Sequence, residues 1–338
     1  MLMTTTVGSL PKPDWLAETQ KLWPAWRLVG EDLARGKERA AAEWIAHQEA
    51  AGLDIVTDGE MFRIHFVHGF LEHIQGIDWA QKTPMGIRDN RYTVDVPTVT
   101  GPVSRPFPVH LEEARFTRGK ACRKLKFTLP GPMTICDTIA DAHYGRRSDM
   151  AMAFAAILNA EARELAAAGV DVIQFDEPAF NVFMTDVKEW GIEALHRAVD
   201  GLDCTTAVHI CYGYGIEENL RWKDTLGREW RQYEEIFPAL NASRIDQVSL
   251  ECAESKVPPS LMALLKDKEV MVGVVSVTPD RVETPEEVAG VIRTAMTYVD
   301  PERLLPCSNC GMTPIPYETA LGKIRSIAAG AALVRNTL

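Results

Sequence analysis

Apolar and β-branched residues along the chain gather in short runs that stop at Gly, Pro or a polar cluster, and longer stretches between them repeat apolar positions at helical spacing. Eight runs have this character: Thr4–Gly8, Asp54–Gly59, Lys126–Gly131, Val172–Pro178, Ala207–Gly213, Gln247–Cys252, Val270–Val277 and Leu304–Gly311. The helical stretches are Glu31–Ala51, Met150–Ala168, Val187–Val199, Ser260–Lys268, Pro285–Val299 and Tyr317–Leu338. Strands alternating with helices predict a parallel sheet, because parallel neighbours need a long crossover. Eight strands predict closure, so the expected class is α/β, a single (β/α)8 TIM barrel over residues 1–338. The open doubly wound alternative is weakened because no Gly-rich dinucleotide fingerprint follows any run.

Two connections, after the second and fifth predicted strands, are too long for simple crossovers. Met61–Arg123 contains a predicted hairpin, Tyr92–Thr98 with Thr100–Ser104, and should form an inserted lobe at about 61–123 over one end of the barrel. Tyr214–Ile245 carries Trp222, Trp230 and Tyr233 among charges. Connections of this length in a compact domain are usually lids, with a structural apron as the plainer alternative.

Composition narrows the function. At 46% hydrophobic and 25% charged, the 338 residues match a soluble globular protein. A net charge of -11 argues against nucleic acid as a partner, since phosphate backbones are met with a basic face. Met1–Trp15 lacks a basic region followed by an apolar stretch, and no segment reaches the roughly 18 apolar residues of a membrane span, so a cytoplasmic protein without membrane contact is expected. The seven cysteines read as reduced thiols, most of them packing residues and some available to a metal.

Barrel active sites lie at the C-terminal ends of the strands, so the last residues of each run carry the most functional weight. The fifth run ends in His209-Ile210-Cys211, the sixth in Leu250-Glu251-Cys252 and the eighth in Cys307-Ser308-Asn309-Cys310-Gly311. His209 and Cys211 share one face of a strand, where side chains repeat every second residue. With Glu251 and Cys310 from neighbouring runs they form a set that suits tetrahedral Zn2+, although a His-x-Cys pair alone is more often packing. Cys307 and Cys310 are three apart, so one of them should reach the metal; Cys252 alternates away from Glu251. Ser9, Asp58, Glu60, Gln174, Asp176 and Glu177 line the other ends, with Asp176 favoured over Glu177 because it shares a face with Gln174.

At these positions the chain resembles the catalytic domain of the cobalamin-independent methionine synthases over nearly its whole length, most closely the short core type. The resemblance rests on Thr4-Thr5-Thr6-Val7-Gly8-Ser9, Asp58-Gly59-Glu60, Gly131-Pro132-Met133-Thr134, Gln174-Phe175-Asp176-Glu177-Pro178, His209-Ile210-Cys211-Tyr212 and Asn309-Cys310-Gly311. It implies Zn2+ held by His209, Cys211, Glu251 and Cys310, and transfer of a methyl group to the thiol of homocysteine. It further implies that Val7, Gly8 and Ser9 receive the substrate carboxylate, and Glu60 and Asp176 its ammonium. Substrate sulfur must reach the metal to become a thiolate, so one ligand must yield or the coordination must expand. Glu251, the hard donor, is the expected one to yield, and with Asp176 it is the expected carrier of the reaction.

The chain departs from the long-form pattern at the methyl-donor side. Ser276-Val277-Thr278-Pro279 stands where the long enzymes carry a His for proton handling, and Thr138 where they carry a Trp against the folate. Folate, a methylcorrinoid or a donor supplied by a partner protein are therefore the candidate methyl sources. Three rivals compete. A zinc thiol alkyltransferase of the coenzyme M type would share the metal chemistry, but a sulfonate thiol would want cationic partners where Glu60 and Asp176 stand. A purely structural zinc site and a zinc-free decarboxylase are the others.

Overall fold

The computed structural model describes residues 1–21, 23–278 and 281–338. Seven parallel strands form one sheet in the order Ile55–Thr57, Lys124–Pro130, Val172–Asp176, Thr205–His209, Gln247–Leu250, Glu269–Val275 and Leu304–Ser308. They coincide with seven of the eight expected runs. The eighth, Thr4–Gly8, is a correction: it forms no strand of its own but lies between the two edges of the sheet. Thr5 N–H donates to Pro306 O at 3.1 Å, and Thr4 O accepts from Ile55 N–H at 3.0 Å. Thr4 also spends its amide and hydroxyl on the Asp54 carboxylate, at 2.8 and 2.9 Å, so side-chain bonds stand in for a regular ladder.

The sheet is curled, and its inner face is filled by Val7, Ile55, Val172, Ala207, Met271, Leu305 and Cys307, a cluster separate from the main core. Lys126 also points inward, fully buried, with its ammonium on Thr6 O; burial pushes its pKa down to about 8. The larger apolar core lies on the outer face, against helices Gly30–Ala51, Arg147–Ala167, Pro285–Ala295 and Tyr317–Arg335. Gly30–Ala51 stops at Gly52, whose φ of 91° continues no helix, and Pro285–Ala295 opens with Thr284 and Glu287 capping each other. Among the described residues no helix is long and apolar enough to cross a membrane.

Three expected elements differ. Val187–Val199 divides into a wide turn, Val187–Gly191, and a helix, Ile192–Ala198. Ser260–Lys268 is a tight 3-10 segment, Pro259–Leu264, led by Pro258 and Pro259. The expected hairpin does not form: Tyr92–Thr98 and Thr100–Ser104 lie in one strand, Tyr92–Ser104, which makes a different hairpin with the antiparallel Gln75–Ile87. Its turn falls at Arg88, Asp89 and Asn90, all at positive φ (50°, 56° and 60°), and Arg88 is held there by Asp137, which accepts its amide at 3.2 Å and pairs with its guanidinium. This hairpin and helices His68–Leu71 and Leu111–Lys120 fall within the first long connection; helices Glu217–Thr225 and Gln232–Asn241 fall within the second.

Candidate active site at the strand ends

The C-terminal strand ends surround a cavity of about 150 Å³ lined by Val7, Ser9, Glu60, Asp176, His209, Cys211 and Cys310 on its inner side. His209 ends its strand fully enclosed, and its ring Nδ1 lies 2.8 Å from Ser249 Oγ. Its Nε2 is buried with no hydrogen-bond partner among the described residues. A buried polar atom left in this way is costly unless something occupies the space before it. Cys211 and Cys310 meet with their sulfurs 3.3 Å apart, and donor atoms of His209, Cys211 and Cys310 all lie within 4.8 Å of one another.

The two thiols are hydrogen-bonded, Cys310 Sγ donating to Cys211 Sγ. A hydrogen bond from Cys310, against the opposing effect of burial, holds Cys211 well below the usual thiol range, and the same bond together with burial pushes Cys310 well above it. Burial works to lower the His209 pKa, but charge on Cys211 carries it upward. An imidazole and a thiolate that stabilise each other's charged forms are what a soft divalent cation replaces when it binds.

Glu251 lies beside this group but outside it. Its Oε1 accepts from Tyr212 N–H at 2.7 Å and its Oε2 from the Tyr214 hydroxyl at 2.9 Å, and burial raises its pKa against the opposing charge of Lys223. Cys307 faces the inner core instead, where burial pushes its thiol to about 12. Cys252 is likewise outside, pushed to about 11 by burial.

On the adjacent strand, in register with His209, Asp176 makes no ion pair among the described residues. Gln174 Nε2 donates to its Oδ1 at 2.7 Å and to Val7 O at 2.7 Å, and burial pushes its pKa up to about 7. Glu177 points away, as alternation predicts, accepting from the amides of Met133 and Thr134 at 2.9 and 2.8 Å. Glu60 sits at a positive φ of 61°, a conformation costly for a residue with a side chain. Asp58 Oδ1 accepts its amide at 3.0 Å, Thr128 donates to its Oε1 at 2.9 Å, and Arg63 braces the turn by pairing with Asp58 at 3.3 Å and donating to Thr128 O at 2.6 Å.

Of the three amides expected to receive a carboxylate, that of Val7 is already committed, donating to Ser308 Oγ at 3.1 Å. The Ser9 hydroxyl packs against Gly311, where an added Cβ would stand 2.0 Å from Ser9 Oγ.

Several lining residues carry no periodic signal and escaped the sequence reading: Lys12, Trp23, His65, Arg88 and Arg91, on the outer side of the cavity. Trp23 stacks on His65 with centroids 4.0 Å apart, which supplies an aromatic surface that Thr138 does not. Thr138 lines the same side, its hydroxyl turned to the carbonyls of Thr134 and Ile135. Thr278 bonds to Ser276 at 2.8 Å, and Pro279 lies outside the described residues. Ser249, which orients His209, could have been found: it precedes Glu251 by two on the same strand face.

The model of the cobalamin-independent synthase catalytic domain matches residues 2–332. The chain belongs to this family. A B12-independent methionine synthase from Shewanella sp. W3-18-1, solved in complex with selenomethionine, is 54% identical and superimposes with a TM-score of 0.97 over 100% of this chain and 98% of that one. The methionine synthase of Sulfurisphaera tokodaii is 31% identical over 339 residues, covering all of this chain and 94% of that protein. That of Saccharolobus solfataricus is 32% identical over 343 residues, with 100% and 96% covered. A Listeria monocytogenes protein at 18% identity and TM-score 0.69 shares the fold. This family member is accordingly an enzyme of the methyltransferase type, in methionine biosynthesis, and family membership supports methylation of homocysteine.

Proposed function

We propose that the chain transfers a methyl group to the thiol of homocysteine at a zinc ion held by His209, Cys211, Cys310 and, when substrate is absent, Glu251. The observation that carries this reading is the buried, partnerless Nε2 of His209 in a group with two sulfurs 3.3 Å apart. The residues fit the metal: one imidazole and two thiols are good zinc donors, and Nδ1–H can donate to Ser249 so that the Nε2 lone pair is free. Bound zinc supplies a thiolate at neutral pH, where a free alkyl thiol is mostly protonated.

Asp176 and Glu60 receive the substrate ammonium, and Ser9 with the Gly8 and Ser9 amides its carboxylate. Asp176, a buried acid with no ion pair among the described residues, suits the former, and the selenomethionine in the Shewanella relative supports an amino-acid site. The coenzyme M alternative is not favoured, because a sulfonate would face these acids. We further read the fold as a closed (β/α)8 barrel forming one catalytic domain, with 61–123 as a lobe upon it and the Thr4–Thr6 segment bridging the sheet edges.

The donor is a more activated methyl source than methyltetrahydrofolate, such as a methylcorrinoid or one supplied by a partner protein. Folate nitrogen leaves readily only when protonated, and neither Thr278 nor His65 is suited to protonate it. Thr278 is a hydroxyl engaged by Ser276, and His65 is held neutral by burial, its Nδ1 accepting the amides of Val67 and His68 at 3.3 Å. The test is metal content and methionine formation from homocysteine with each methyl source. Stoichiometric zinc and slow or absent turnover with saturating folate are expected. Methionine synthesis without zinc refutes the site, and folate turnover near the usual range of about 1–10³ per second refutes the donor assignment.

A further inference from the structure

The connection after the fourth sheet strand's His209 reaches back to the metal side of the cavity through Tyr214, which stands between Gly213 and Gly215, both at positive φ (84° and 74°). The Tyr214 hydroxyl donates to Glu251 Oε2 at 2.9 Å and lies 3.4 Å from Asn309 Nδ2. Lys223, on helix Glu217–Thr225 of the same connection, is 5% exposed and holds its ammonium 3.5 Å from the Tyr214 ring centroid. Glu251 itself is fully buried, its other oxygen fastened by the Tyr212 amide. Both carboxylate oxygens are thus engaged at a seat outside the His209, Cys211 and Cys310 group.

We propose that Tyr214 is a positioning residue that latches the Glu251 carboxylate away from the fourth coordination position, so that this connection governs whether carboxylate or substrate thiol fills it. The inference rests on the zinc reading above. Three fixed protein donors leave one place on a tetrahedral zinc. A buried carboxylate that simply left the metal would be an uncompensated charge, which is a large penalty in a protein interior. The Tyr214 hydroxyl, the Tyr212 amide and the nearby Lys223 ammonium remove that penalty by offering a second, polar seat. Tyr212 is buried and bonded to Gln232, whereas Tyr214 sits between two glycines at positive φ, so the seat depends on the path of this connection.

The test is Tyr214→Phe, read by the rate at which a chelator extracts zinc from the purified protein and by the KM for homocysteine. Loss of a hydrogen bond to a charged group shifts the carboxylate toward the metal by about ten- to a hundredfold. Zinc extraction should therefore slow, and the homocysteine KM rise, by factors of that order. A merely structural role would loosen the site and speed extraction. In a Glu251→Gln background the Tyr214→Phe effect on extraction should vanish. Extraction as fast as wild type or faster, or an equal effect in both backgrounds, overturns the latch. A wild-type protein that holds no zinc overturns the site reading first and the latch with it.

Discussion

Asp176 offers a sharp test of substrate recognition, because it is a buried acid whose charge waits for a partner. It is 7% exposed, its one fixed contact is Gln174, and burial raises its pKa to about 7. The sign follows directly: the neutral acid prevails below pH 7 and the carboxylate above it, and only the carboxylate attracts an ammonium. At a pKa of about 7, roughly one-tenth is ionised at pH 6 and nine-tenths at pH 8. Methionine affinity should thus rise about tenfold from pH 6 to pH 8, and binding at pH 6 should release a proton as the ammonium pulls the Asp176 pKa down. Asp176→Asn removes a charge-assisted hydrogen bond of about 1.5–3 kcal/mol, which weakens binding about ten- to a hundredfold at pH 8 and about tenfold less at pH 6. Calorimetry with methionine is the cleaner assay, since the product carries the same ammonium and carboxylate but no ionisable thiol. Equal losses at pH 6 and pH 8, or an equal loss for a thioether lacking the amino group, would show that Asp176 only supports the structure.

Cys211→Ser and Cys310→Ser should each lose zinc and activity together, while Cys307→Ser, in the inner core, keeps most of both; zinc stoichiometry decides, and the reverse pattern would remove Cys310 from the site. Arg63→Met leaves Asp58 buried without its cation and should cost about 3–5 kcal/mol of stability by chemical denaturation. A loss under about 1 kcal/mol, the worth of an exposed pair, would mean that water reaches Asp58.

The strands and the shared face of His209 and Cys211 were legible in the chain because both depend on local order. Seven runs became strands at nearly their expected places, since β-branched clusters ended by Gly, Pro or polar residues encode extension without reference to the rest of the molecule. The separation of His209 and Cys211 from Ile210, and of Asp176 from Glu177, followed from alternation along a strand. What depended on distant partners was not legible. Thr4–Gly8 reads as a strand, but its bonds go to Asp54, Ile55 and Pro306, and only the curled sheet brings those edges together around it. The hairpin turn was misplaced because Arg88 is held at positive φ by Asp137, 49 residues further along the chain. Glu251 could be assigned to the cavity end by its position after Leu250, yet its two oxygens are taken by Tyr212 and Tyr214, contacts made when the connection folds back over the strand ends. Local sequence sets which way a side chain alternates; which partner meets it is decided by loops whose path depends on the tertiary fold.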